Sequence, residues 1–206
     1  MNTVPKSPKI GGSVVPVKVG ERRNRAKKDH CIIIVGDSHS KICTTNVKNY
    51  LSDNYNVQGL VKPGTRSDIS TETAMSVIKG LTKNVFFILW SGANDVAKNN
   101  TTKALRCLVD FSNNNSHTNI TLTSVPHRHD LLSSSCVTEE IRAFHRNLMK
   151  IRKIFGHESI MDVYPNREFY TKHGHHLNNL GKAKVSKQLS FNFCQYYNGR
   201  KTSRLA

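Results

Sequence analysis

Residues 31–35 read Cys-Ile-Ile-Ile-Val and residues 85–90 read Val-Phe-Phe-Ile-Leu-Trp, two short apolar runs with no polar position in either. Runs this short, without alternation, describe strands covered on both faces. Tyr55 to Val61, Ile120 to Val125 (closed by Pro126) and Ile160 to Val163 read as three further strands. Between them the period changes. Ala104, Leu105, Leu108 and Phe111 fall near 3.6 spacing within Lys98 to Phe111, and Ile141, Phe144, Leu148, Ile151 and Ile154 recur every three or four residues within Cys136 to Phe155. Further helices are expected after Gly36, with Ile42, Val47, Tyr50 and Leu51 inward, over Asp68 to Leu81, with Ile69, Met75 and Ile78 inward, and over Asn179 to Phe193. Strand alternating with helix demands crossover connections, hence an α/β fold: a parallel sheet with helices on both faces.

Charge divides the chain differently. Lys and Arg number 31 against 14 Asp and Glu, a net +17. Residues 1–30 hold eight basic and two acidic residues, and residues 169–206 hold seven basic and none acidic, so the body between is nearly balanced. Residues 1–29 add three prolines, three glycines and the run Arg22-Arg23-Asn24-Arg25-Ala26-Lys27-Lys28, with no helix or strand period. A disordered basic tail is expected there, a folded domain over 30–197 and a second basic tail over 198–206. Basic ends favour a polyanion such as RNA or single-stranded DNA, or an anionic membrane surface, and solubility alone also accounts for them. Arg22, Arg23, Arg25, Lys27, Lys28, Arg200 and Lys201 are the candidate contacts. Tyr196 and Tyr197 add aromatic faces of the kind on which bases stack, although a frayed terminus explains the same residues. No apolar run reaches the ~18 residues of a membrane span, and residues 1–30 lack the apolar stretch of a secretory signal. Five scattered cysteines without a CxxC argue for reduced thiols, so an intracellular protein, cytoplasmic or nuclear, is expected.

In a parallel sheet, functional groups gather beyond the carboxyl ends of the strands. Those ends here are Gly36-Asp37-Ser38-His39-Ser40, Lys62-Pro63-Gly64-Thr65, Ser91-Gly92-Ala93-Asn94-Asp95 and Pro126-His127-Arg128-His129, joined by His173-Gly174-His175-His176 before the last helix. Ser38 offers a nucleophile, and its own N–H opens a helical turn where a developing negative charge is welcome. Gly64 offers a bare backbone N–H, Asn94 a side-chain amide and His176 a base. Each alone is an ordinary turn residue; the ordered set supplies what acyl transfer requires. Asp37 and Asp95 read as capping groups. His127 and Arg128 are expected at the rim of the crevice, Arg128 facing an anionic substrate. Trp90 reads as core, with stacking on a substrate as the alternative. The histidines at 127, 129, 173, 175 and 176 lack an accompanying acidic or thiol ligand, so neither a metal nor another cofactor is expected.

The motifs GDSHS (36–40), PGT (63–65), GAND (92–95) and HGHHLNNLG (173–181) resemble those of the SGNH, or GDSL-type, hydrolase superfamily, over roughly residues 31–195. The resemblance implies a three-layer α/β/α sandwich with a five-stranded, mostly parallel, flavodoxin-like sheet. It implies Ser38 as nucleophile, His176 as general base, and an oxyanion hole from Ser38, Gly64 and Asn94, acting on an ester. One position departs from the pattern. The family places an Asp three residues before the catalytic histidine, and this chain has His173. Loss of the acid's charge costs a serine triad roughly 10⁴ in rate. Three readings follow: a Ser38–His176 dyad, a substitute partner (His173 itself, Asp162 or Glu168), or a site that binds ligand and turns over weakly or not at all. The last joins the charge argument to two relatives of this type, the esterase domains of some non-LTR retrotransposons and the RNA-binding, site-less domain of Oskar.

Overall fold

The computed structural model describes residues 30–81, 84–155, 159–163 and 166–202. The expected tail 1–29, with Arg22, Arg23, Arg25, Lys27 and Lys28, lies outside them. Five strands, β1 (His30–Gly36), β2 (Tyr55–Val61), β3 (Val85–Trp90), β4 (Asn119–Thr123) and β5 (Ser159–Met161), form one sheet in the order β2-β1-β3-β4-β5. Every pairing is parallel. The helices are α1 (Cys43–Tyr50), α2 (Ser67–Ile78), the single turn α3 (Ala93–Val96), α4 (Thr101–Asn114), α5 (Cys136–Phe155) and α6 (Asn179–Thr202).

Side chains alternate across the sheet and build two cores. Ile33, Val35, Phe87 and Leu89 pack with α2, α4 and α5, whereas Ile32, Ile34, Phe86, Ile88 and Trp90 pack with α1 and α6. This gives three layers, with the strongest apolar runs buried on both faces at the centre of the sheet. Trp90 belongs to the second core. No helix among the described residues is long and apolar enough to cross a membrane.

Two helices bury other residues than their apolar letters indicate. Ile69 and Met75 of α2 are 40% and 42% exposed, and the buried side is Ser67, Ser70, Thr71, Ala74 and Ile78. Small residues let α2 lie close to the sheet, and hydroxyls are satisfied locally, Thr71 Oγ1 donating to the Ser67 carbonyl at 2.8 Å. Ile42 precedes α1 with φ +75°, a conformation that a β-branched residue adopts at a cost, and its side chain is 45% exposed rather than inward. Tyr50 is exposed as well, so α1 buries Cys43 and Val47. The last helix runs past Phe193 to Thr202, into the stretch expected as a tail. The side chains of Tyr197, Arg200 and Lys201 lie outside the described residues.

The end of β1 sets the spacing at the sheet's functional edge. Gly36 pairs in register with Trp90, and a Cβ at Gly36 would sit 2.8 Å from the Trp90 carbonyl oxygen. That oxygen accepts the Asp37 N–H at 3.2 Å and cannot swing away as a side chain would. Gly36→Ala is therefore expected to push β1 from β3 where the chain turns toward Ser38. The loss is about 1–3 kcal/mol, in the range of other overpacked sites, and is measurable by urea denaturation.

Candidate active site

The turn after β1 is built by its own carboxylate. Asp37 is buried, caps the 3-10 turn Ser38–Ser40 and accepts the His39 N–H at 2.9 Å. Burial pushes its carboxyl up to about 7, against the His39 N–H, and the charge of Asp95 adds to the rise. Asp95 is also structural: its Oδ2 accepts both the Ser67 N–H (2.7 Å) and the Ser67 hydroxyl (2.9 Å) at the start of α2. Neither aspartate lines the cavity described next.

Ser38, Gly64, Asn94 and His176 come from four separate segments of the chain and line one cavity of about 330 Å³. Gly64 stands at φ +75°, a backbone state that favours glycine, with open space where a Cβ would be. The Asn94 amide donates one hydrogen bond to the Thr65 carbonyl at 2.8 Å, which fixes its orientation and leaves its second N–H. His176 is presented by a loop held from three sides. Asn178 caps α6 through the Gly181 N–H (2.9 Å) and donates to the Glu168 and Tyr170 carbonyls. Arg167 donates to the Thr171 and Lys172 carbonyls. The Gly174 carbonyl accepts the His129 N–H at 2.9 Å, in a contact so close that a Cβ at Gly174 would lie 2.7 Å from the His129 backbone.

The His176 ring stacks on His175 at 4.2 Å between centroids and lies 5.1 Å from the ring of His39. No hydrogen bond among the described residues joins Ser38 to His176; such bonds often form only with substrate present. Burial, then the charges of Lys182 and Arg128, hold His176 below its ordinary value, so it is neutral near pH 7. His39 is pushed down to about 3, first by burial and then by His176 and its neighbours. Val96, Val125, Val137 and Ile141 supply apolar lining to the same cavity.

Arg128 lines the cavity and grips Asp130 through two hydrogen bonds of 2.7 and 2.6 Å. His127 is not among the residues that line it; its ring lies 6.2 Å from those of His129 and His145. His145, buried on α5, donates from Nε2 to the Val125 carbonyl at 2.9 Å, and burial lowers its proton affinity. Its depressed folded-state value has a sign for stability. The unfolded chain takes up this proton first, so stability is full above about pH 6.5 and falls below it, by at most about 1.4 kcal/mol per pH unit for one group. His145→Gln is expected to flatten the denaturation midpoint against pH below 6.5 relative to the wild type.

No protein-family model matches the sequence, and no curated protein matches it. Solved structures do. A GDSL-like lipase from Bacteroides thetaiotaomicron superposes with a TM-score of 0.62 at 17% identity, over 81% of this chain and 90% of its own. An acetylxylan esterase from Geobacillus stearothermophilus, in a catalytic-mutant form, gives 0.63 at 11% identity, over 81% and 94%. The chain has the SGNH hydrolase fold. The C-terminal catalytic domain of peptidoglycan O-acetyltransferase A from Streptococcus pneumoniae matches the same SGNH fold at 0.60 and 14% identity, over 84% of this chain and 95% of that domain.

The three groups named as substitutes for the family's acid lie apart from one another. His173 sits exposed in its loop. Asp162 accepts the Ser124 hydroxyl at 2.8 Å, and its charge bears on His127 and His145. Glu168 is exposed in the 3-10 turn Arg167–Phe169. The carboxylate whose charge reaches both His175 and His176 is Asp130, which sequence reasoning passed over. Its signal was the Arg-x-Asp spacing in the loop after β4, which lets the two side chains pair. His39 was passed over too, because it is distant in sequence from the histidines it meets.

Proposed function

We propose that the chain is a serine hydrolase of the esterase type. Ser38 Oγ attacks the ester carbonyl carbon while His176 takes the hydroxyl proton. The N–H groups of Ser38 and Gly64 and the free N–H of Asn94 receive the oxyanion. Collapse breaks the ester C–O bond, and His176 returns the proton to the departing alcohol. Water then attacks the Ser38 acyl ester, gives its proton to His176, and the acid and the Ser38 hydroxyl are released. With Asp130 committed to Arg128, the pair works as a dyad. The apolar lining fits the acyl chain, and Arg128 favours an anionic group on the substrate. The observation that carries this reading is the convergence of four separate segments, with Ser38, Gly64, Asn94 and His176, on one cavity. The test is turnover of p-nitrophenyl acetate together with a fluorophosphonate probe, the adduct located by mass spectrometry. A Ser38 adduct and turnover support it; the absence of both ends it.

A second reading, compatible with the first, is that the basic surface binds RNA or single-stranded DNA. Lys184, Lys187 and Phe191 share one exposed face of α6, with Phe191 61% exposed, in a stretch without acidic residues. Tyr196 is not part of that face: its ring packs on Phe86 at 5.2 Å and its hydroxyl bonds Asn119. A steep loss of binding with salt supports this reading, and no binding at low salt removes it.

A further inference from the structure

We propose that His39, His175 and His176 hold a divalent cation of the zinc class at the polar wall of the cavity. One ring nitrogen from each lies within 4.8 Å of the other two. Three nitrogens on one tetrahedral zinc, at 2.0–2.1 Å each, stand ~3.4 Å apart, so closure asks for shifts of about an ångström. The second observation is His39 itself. It is 4% exposed, and its Nδ1 has no hydrogen-bond partner. A buried polar atom left without a partner costs roughly 1–3 kcal/mol, and an ion bound at that nitrogen would remove the cost.

The donor set selects the ion. Three imidazoles without a carboxylate suit zinc, copper or nickel and not magnesium or calcium. The set comes from one buried side chain after β1 and two neighbours in the loop before α6, and all three residues line the cavity. Arg128 and Lys182 bear on these histidines and oppose a dication, which sets a ceiling on affinity; the charge of Arg128 is already met by Asp130. A consequence follows, and it rests on the esterase reading. A ring nitrogen of His176 that holds the ion cannot take the Ser38 proton, and an ion on the other ring nitrogen makes the imidazole a weaker base, so in either case the ion is an inhibitor.

The experiment uses the full, metal-free chain. Zinc chloride is titrated calorimetrically, and Co²⁺ serves as a spectroscopic probe through its visible d–d absorption. The expected result is one equivalent bound per chain, with binding weakened at least about tenfold by His39→Gln and by His175→Gln. His173→Gln, on an exposed neighbour in the same loop, is expected to keep it. If His39→Gln does not fold, His175→Gln, on a partly exposed residue, carries the comparison. No saturable binding, binding that survives both substitutions, or loss on His173→Gln overturns the site. In a parallel assay zinc is expected to suppress p-nitrophenyl acetate turnover and EDTA to restore it. Zinc bound without suppression of an active enzyme overturns the inhibition. Zinc bound by a chain inactive with and without metal leaves the metal site standing and sinks the esterase reading instead.

Discussion

Ser38→Ala is expected to remove ester hydrolysis without changing the melting temperature. The second half follows from packing: Ser38 is partly exposed and no side-chain hydrogen bond of its hydroxyl is present among the described residues, so its loss falls within the ±0.5 kcal/mol of ordinary surface changes. The size of the first half is informative. In a serine triad the nucleophile carries about 10⁶ in kcat and the acid about 10⁴–10⁵, and the contributions do not add. A Ser38–His176 pair working without an acid therefore leaves only about 10²-fold for Ser38→Ala to remove. A drop of 10⁴ or more reveals a carboxylate that turns to His176 once substrate is bound, and Asp130 is the one within electrostatic reach. No change in turnover places the chemistry elsewhere.

Asn94→Ala is the second large effect. Removing one side-chain donor from an oxyanion hole costs about 10²–10³ in kcat. The loss is expected in kcat with KM little changed, because the bond to the developing oxyanion is stronger than any bond to the neutral carbonyl. The substitution also frees the Thr65 carbonyl, which now accepts the Asn94 amide at 2.8 Å. The Asp95 bonds to Ser67 are independent of it, so α2 stays in place and the fold is expected to survive. Steady-state kinetics with p-nitrophenyl acetate separate the two constants; an unchanged kcat shows that the amide does not serve the reaction.

The strands were legible because their signal is local. A run such as Val85–Trp90, buried on both faces, announces itself without any neighbour. The long amphipathic helices α4 and α5 were legible for the same reason: Leu105, Leu108, Ile141 and Phe144 are all buried as their spacing requires. What failed was the identity of buried residues where a helix lies close to the sheet. The inward side of α2 is set by the distance to β1 and β3, which admits serine, threonine and alanine and turns Ile69 and Met75 outward. At the site, the order of Ser38, Gly64, Asn94 and His176 was readable, since each follows a strand or precedes a helix. The electrostatic surroundings were not. That the charge of Asp130 bears on His176 depends on the loop after β4 seating against Gly174, a contact between distant parts of the chain, as is the meeting of His39 with His175.

The bond from Asn94 to Thr65 and the two bonds from Asp95 to Ser67 rivet the loop after β2 to the short helix after β3. Gly64 and Asn94 thus ride on a single stiff bracket. If the two receive the oxyanion as proposed, a gauge of that kind would discriminate by bulk beside the reacting carbon, since neither jaw yields alone. Evolution of a new specificity on this scaffold would have its freedom at Val137, a partly buried lining residue, since Val125 and Ile141 belong to the same core as Val96 of that short helix and cannot change size without moving it.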